Sequence, residues 1–245
     1  MPSARISDSQ PSLQELFRPP RAEERPCVIR AVDVRKVYVS GEQQTHALRG
    51  ATLSVFRGEY LSIMGPSGSG KSTLFNMIGA LQKPTSGKVY IDQVDIAQLD
   101  QNELSWLRCR KVGYIFQTYK LIQVMTCLEN VMLPMGFAGI EVEQSREKAI
   151  TVLESVGLGH RILHKPAELS GGMKKRVGLA RAIAYEPDYI LYDEPTTGLD
   201  PIMSDVINDL IIGLQKKLKV TSVVVTHDMN SAYKISTRMA MLYQG

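Results

Sequence analysis

The stretch Gly65-Pro66-Ser67-Gly68-Ser69-Gly70-Lys71-Ser72-Thr73 follows the apolar run YLSIM and opens the apolar-periodic segment LFNMIGAL. A glycine-rich turn between a strand and a helix lets successive backbone N–H groups turn inward around phosphate oxygens. The helix N-terminus adds about half a positive charge at the same point. Lys71 then faces β- and γ-phosphate oxygens, and the Ser72 hydroxyl faces Mg2+. The stretch therefore reads as a phosphate-binding loop. The alternative, a glycine-rich turn with no ligand, is disfavoured by the full spacing and by the strand and helix on either side.

Working outward, short apolar runs alternate with helical patterns from Tyr60 onward: YLSIM, a helix after Gly70, VGYIF, a long polar-to-helical middle, YILYD, a helix after Pro201, TSVVVT, a helix after Met229, and MAMLY. Continuous apolar strands separated by helices predict an α/β core with a mainly parallel sheet, buried on both faces. Upstream, the β-rich runs Val28 to Val39 and Leu48 to Val55, separated by the polar SGEQQTHA, predict antiparallel strands of an edge sheet. The middle, roughly 118–181, lacks strand patterns and carries amphipathic stretches such as SREKAITVLESVGL, which predict a helical subdomain inserted into the core. Residues 1–26 hold five prolines among mixed charges and read as a disordered tail with a turn of helix at SLQELF. The remainder, 27–245, reads as the folded domain.

Two carboxylates, Asp193 and Glu194, end the apolar run YILYDE, and doubly wound sheets gather ligands at the C-terminal ends of their strands. Asp193 is placed to hold Mg2+ through water. Glu194 is placed to orient and deprotonate an attacking water. A solvated strand cap is the other reading of this pair, and the phosphate loop upstream favours the catalytic one. The second carboxylate also favours hydrolysis over phosphoryl transfer to another acceptor. VVVTHD repeats the design and delivers His227 to the same sheet edge, where it could hydrogen-bond the γ-phosphate and the water-orienting carboxylate. Gln117, closing VGYIFQ, brings an amide with a donor and an acceptor to a strand end, within reach of metal or water.

With 245 residues, 44% of them hydrophobic and 22% charged, the chain can bury a core of one large domain. The net charge of +4 suits anionic ligands or a membrane face and is too weak to imply nucleic acid. Cys27, Cys109 and Cys127 have no metal-like spacing and form no disulfide framework, which fits a reducing cytosol. No segment offers the long uncharged apolar run of a membrane span, so a membrane role is expected to come through a partner.

Taken in order, the phosphate loop, Gln117, LSGGM, LYDEPTTGLD and His227 resemble the motifs of ATP-binding subunits of ABC transporters, and the likeness runs from about Val28 to Gly245. The resemblance implies a P-loop NTPase (RecA-like) α/β core, with ATP and Mg2+ as cofactors. Ser72, Gln117 and Asp193 would meet the metal, and Lys71, Gln117, Glu194 and His227 would serve catalysis. It further implies a head-to-tail dimer in which Ser170, Gly171 and Gly172 of one copy face the nucleotide held by the other. Asp200, in TTGLD, would lie near the opposite site, and Tyr38, in VRKVY, would stack on adenine. Arg176 and Arg181 would brace the signature helix, with Lys174 and Lys175 as its solvated face. Transmembrane permease subunits, at the cytoplasmic face of the inner membrane, complete the implied assembly, with no nucleic-acid partner.

Within the family, HALRGATLSV, PTSGKVYID, ENVMLP and VGLGHRILHKPAELSGG look most like the lipoprotein-releasing and macrolide-exporting group. LSGGMKKRVGLARAIA and YDEPTTGLDPI look more like ATPases of phospholipid transporters, the exporter group usually having glutamine at positions 173 and 175. Cargo therefore stays open between lipid, lipoprotein and hydrophobic compounds. The family pattern normally continues past MLYQG with another strand, so a less protected last sheet edge is expected. Two other classes are weighed: a soluble ABC ATPase acting on DNA or ribosomes, which would carry coiled-coil insertions or basic arms, and a regulatory module that holds ATP without turnover.

Overall fold

The computed structural model describes residues 25–245. The expected tail, 1–26, and its helical turn at SLQELF therefore lie, apart from Arg25 and Pro26, outside the described residues.

Two sheets are present among these residues. The first is antiparallel, with strand order β2-β1-β4-β5, built from β1 (Cys27–Ser40), β2 (Gln43–Phe56), β4 (Ser86–Ile91) and β5 (Val94–Asp95). It is the separate antiparallel sheet expected of an N-terminal β subdomain. The polar SGEQQTHA is not a connection: Ser40 pairs with Gln43 and Val39 with Gln44, so only Gly41 and Glu42 form the turn. Gly41, at φ 60, supplies the left-handed backbone that a two-residue hairpin needs, and polar residues at a solvent-facing hairpin tip carry on as strand. SGKVYI was also missed, because six residues whose first three, Ser86, Gly87 and Lys88, are exposed and poor strand formers carry little strand signal until β1 pairs with them.

The second sheet is wholly parallel, in the order β6-β7-β8-β3-β9, from β6 (Val112–Ile115), β7 (Tyr189–Asp193), β8 (Thr221–Val225), β3 (Tyr60–Met64) and β9 (Arg238–Met241). All residues of β3 and β8 are buried, as expected for strands covered on both faces. On one face pack α1 (Lys71–Ile78) and the antiparallel sheet, around Leu48, Leu61, Phe75 and Ile78. On the other, Tyr60, Tyr192 and Val224 meet Leu179 and Ile183 of α5 (Gly171–Ile183) and Ile207 and Ile211 of α6 (Pro201–Leu218). A third core joins α5 to α3 (Cys127–Phe137) and α4 (Val142–Ser155) through Val131, Leu153 and Val177. No strand falls between 118 and 181. Helix α2 (Gln101–Lys111) precedes β6 and starts with a capping box between Asp100 and Glu103, a signal left unread in the sequence. The last helix is α7 (Met229–Ile235). No helix among the described residues is long and apolar enough to cross a membrane.

β9 is tied down by Arg238, whose guanidinium donates to the carboxylate of Glu59 (2.5 and 3.1 Å), itself only 1% exposed. Glu59 also accepts from the Phe56 N–H at 2.9 Å, so its charge is paired where burial would otherwise disfavour it.

Candidate active site

Strand order brings the phosphate loop, Gln117, Glu194 and His227 to one edge. Ile115 lies beside Tyr192, Asp193 beside Val225, and Val225 beside Ile63. The residues just past those strand ends are Gln117, Glu194, His227 and the loop from Gly65.

The loop from Gly65 to Thr73 wraps the N-terminus of α1. Gly70, its N-cap, has φ 95, and an added Cβ would lie 2.4 Å from the Ala47 carbonyl, so the hairpin strand β2 presses against the loop from behind. Gly65 (φ 152) is packed equally hard, a Cβ there meeting the Leu242 carbonyl at 2.1 Å. Only glycine fits either position. The first helical bond runs from the Leu74 N–H to the Gly70 carbonyl, which leaves the N–H groups of Lys71, Ser72 and Thr73 at the helix start free of helical partners. Lys71 Nζ donates to the Gly65 and Pro66 carbonyls, both at 2.9 Å, and so lies inside the curve of the loop. Ser69, 3% exposed, has a hydroxyl without a hydrogen-bond partner, packed against Gly65 in a loop whose residues Pro66, Ser67 and Gly68 are exposed.

At the next strand ends the backbone turns sharply. Glu194 has φ 49, a left-handed conformation that costs a non-glycine residue about 1–3 kcal/mol. Its N–H donates to the Val225 carbonyl (2.9 Å), while its carboxylate is 2.9 Å from His227 Nδ1 and accepts from the Thr197 and Thr226 hydroxyls at 3.1 and 3.4 Å. Burial raises the pKa of Asp193, with the adjacent Glu194 charge adding to the rise and Lys175 and Lys71 opposing it. Two carboxylates held side by side against this penalty suit a hard cation. A hydroxyl and a carboxylate are hard oxygen donors of the kind Mg2+ takes alongside phosphate oxygens. These donors fit MgATP.

Lys175 departs from expectation. It is 2% exposed, not a member of a solvated helix face, and Nζ donates to the carbonyls of Gln117 (3.0 Å) and Glu194 (3.3 Å). Desolvation pulls its pKa down to about 8, with Asp193 and Glu194 pulling the other way. The sequence held no signal for this, since a lysine beside Lys174 on an amphipathic helix normally faces water. Lys174 itself is half-buried. Arg181 does brace α5, donating to the Tyr119 and Lys120 carbonyls at 2.8 and 2.7 Å, and Arg176 donates to the Val156 carbonyl at 3.2 Å. Asn130, fully buried at the start of α3, was also missed; its side chain holds the loop after Gln117 by bonds to the backbone of Ile122, Met125 and Thr126.

Several predicted residues lie away from this cluster. Ser170 is exposed and caps α5, accepting from the Met173 N–H at 3.3 Å. Gly171 and Gly172 form the first turn of that helix, and a Cβ on Gly172 would strike the Met203 methyl at 2.4 Å. Asp200 caps α6 through the Met203 N–H at 2.9 Å. Tyr38 lies on β1, its hydroxyl donating to Gln82 Oε1 at 2.7 Å and its ring under Lys36 Nζ. Met173 packs against the α3–α4 core, which accounts for an apolar residue at the start of a basic helix. Met173→Gln is therefore expected to trade packing for hydration without reaching the carboxylates. Steady-state ATP turnover should stay within about tenfold of the parent, roughly 1.4 kcal/mol.

Residues 48–197 match the family described as ABC transporter. The chain is 41% identical over 210 residues to the lipoprotein-releasing system ATP-binding protein LolD of Legionella pneumophila (strain Paris), covering 86% of this chain and 92% of that one. The dimeric, post-hydrolysis structure of the ATP-binding cassette MJ0796 bound to ADP and Pi superposes with a TM-score of 0.82 at 42% identity, over 89% of this chain and 95% of that one. The cbiO1 subunit from Clostridium perfringens, part of the ABC transporter complex cbiONQ, superposes with a TM-score of 0.79 at 28% identity, over 89% of this chain and 86% of that one. A phosphate loop, a strand-end carboxylate pair and a histidine on one sheet edge thus coincide with matches over most of the chain: it belongs to the ABC transporter family, as an ATP-binding subunit that hydrolyses ATP.

Proposed function

We propose that this chain powers the transport of a lipid, lipoprotein or other hydrophobic compound through a membrane permease. It would act as a head-to-tail dimer at the cytoplasmic face of the inner membrane. In each copy, Gly65 to Thr73 cradle the phosphates of ATP, Ser72, Asp193 and Gln117 hold Mg2+, and Tyr38 stacks on adenine. Mg2+ supplies charge neutralisation on the β- and γ-phosphates. Glu194 takes the proton of the attacking water, and His227, already 2.9 Å from that carboxylate, keeps it oriented. Ser170, Gly171 and Gly172, with the N-terminus of α5 behind them, complete the opposite copy's site, and Asp200 crosses the interface beside it. The exposure of Ser170 at the N-terminus of α5 supports this division of the site between two copies.

The observation that carries the permease reading is a groove of about 710 Å3 between α2, β6 and α3. Trp106 and Phe137, 59% and 80% exposed, flank it, and Arg110, Lys120 and Arg181 line it. Such an apolar cleft with a basic rim fits a helical segment of a membrane protein, and the helices across 118–181 would pass nucleotide-driven movement to it. The double variant Trp106→Asp with Phe137→Asp should lose co-sedimentation with membranes that contain the permease partner, each aromatic anchor contributing about 2 kcal/mol. ATP turnover by the isolated chain should be unchanged. Retained membrane association would remove the groove from the reading.

The lipoprotein-releasing relative favours export of lipidated protein, whereas the signature segment LSGGMKKRVGLARAIA keeps phospholipid traffic as the second reading. A permease with a large periplasmic domain in the neighbouring reading frame would support the first, and a lipid-binding envelope protein the second.

A further inference from the structure

Three segments of the site meet at one buried cation. Lys175 Nζ reaches the Gln117 carbonyl at 3.0 Å and the Glu194 carbonyl at 3.3 Å, and it lies 5.1 Å from the centre of the Tyr119 ring, within cation–π range. The backbone around those carbonyls is unusual. Glu194, Tyr119 and Lys120 have φ of 49, 55 and 50, left-handed at three non-glycine positions, and such conformations persist only where neighbours over-determine them.

The clamps come from α5. Arg181 holds the Tyr119 and Lys120 carbonyls, and Lys175 holds the Gln117 carbonyl, two residues ahead of that bend, and, alone among the described side chains, the Glu194 carbonyl, which also accepts from the Thr197 N–H at 3.3 Å. Helix α5 is also the one whose first turn carries Ser170, Gly171 and Gly172. The strand-end amide, the strand-end carboxylate and the signature turn are thereby referenced to one rigid element.

We propose that Lys175 is a positioning residue for ATP hydrolysis, its ammonium fixing the main chain of Gln117 and Glu194 relative to the signature helix. The inference rests on the roles proposed above for Glu194 and Gln117. With its ammonium engaged by those two main-chain oxygens, Lys175 acts through the place of the groups that meet phosphate and water. An error of an ångström in a catalytic group costs on the order of 100-fold in rate, while leaving intact the phosphate loop that supplies affinity.

Lys175→Met and Lys175→Gln in the full chain separate this role from a merely structural one. Methionine fills the space but leaves the Gln117 and Glu194 carbonyls one donor short, so some fall in the thermal midpoint is expected and rates are compared well below it. The Met variant should bind a fluorescent ATP analogue as the parent does, with kcat reduced about 100-fold and KM little changed. Glutamine returns two N–H donors without the charge and should restore kcat to within about fivefold of the parent. The proposal is overturned if the Met variant turns over ATP at the parent rate, if its loss is matched by weaker nucleotide binding, or if glutamine restores nothing. The parent chain, assayed alongside, reports separately on the hydrolytic reading: absence of turnover there would sink that reading instead.

Discussion

Replacing Glu194 with glutamine is expected to lower ATP turnover about 1000-fold while leaving MgATP binding unchanged. The carboxylate accepts from the hydroxyls of Thr197 and Thr226 and meets His227 Nδ1 at 2.9 Å. An amide of the same shape keeps one acceptor oxygen, and its NH2 group can donate to hydroxyls that also accept. The local fold should therefore hold, including the left-handed backbone at φ 49, which depends on the main chain rather than on the charge. What disappears is a group able to take a proton from water. With hydrolysis blocked, ATP remains in both interfacial sites and the closed dimer accumulates by mass action. Single-turnover phosphate release and size-exclusion chromatography with ATP read the two effects. Hydrolysis at the parent rate would refute the assignment of Glu194 as base.

The second large effect is expected from Lys71→Met, which should weaken MgATP by about 1000-fold. The ammonium lies inside the phosphate loop, donating to the Gly65 and Pro66 carbonyls at 2.9 Å each. Turned toward phosphate, it makes charge-assisted hydrogen bonds of about 1.5–3 kcal/mol each, and two such contacts amount to about 4 kcal/mol. Methionine keeps the stem that fills the loop and removes only the charge. Titration of a fluorescent nucleotide measures the loss, and binding within tenfold of the parent would show that the backbone N–H cradle and the α1 terminus carry the phosphates without the lysine.

These two residues also mark how far the sequence could be read. Lys71 was legible because everything it needs, strand, glycines, hydroxyl and helix, lies within a few residues of it. Its chemistry is local, and local backbone conformation follows from local residue types. Glu194 was legible as a strand-end carboxylate but not as a left-handed one, because its turn is imposed by Val225, Thr197 and Lys175 from elsewhere in the chain. Strands buried on both faces announced themselves as apolar runs, whereas Ser86–Ile91, short and half exposed, became a strand only by pairing with β1. The polar tip of the β1–β2 hairpin misled for the same reason, since exposed strand and exposed loop share a composition.

Lys175 lies at the far end of this scale. Beside Lys174 on an amphipathic helix it looked like part of a solvated face, and only the packing of α5 against the strand ends reveals a buried cation between two carbonyls. By itself, the sequence determined the α/β class, the phosphate loop and the residues that could meet a nucleotide, because those depend on contiguous patterns of hydrophobicity and on donors spaced along a few turns of chain. Which strand ends lie side by side, how His227 reaches Glu194, and what Lys175 holds were decided by tertiary structure alone. Each requires segments dozens of residues apart to meet, and that meeting is set by strand order and helix packing, which no short window of sequence contains.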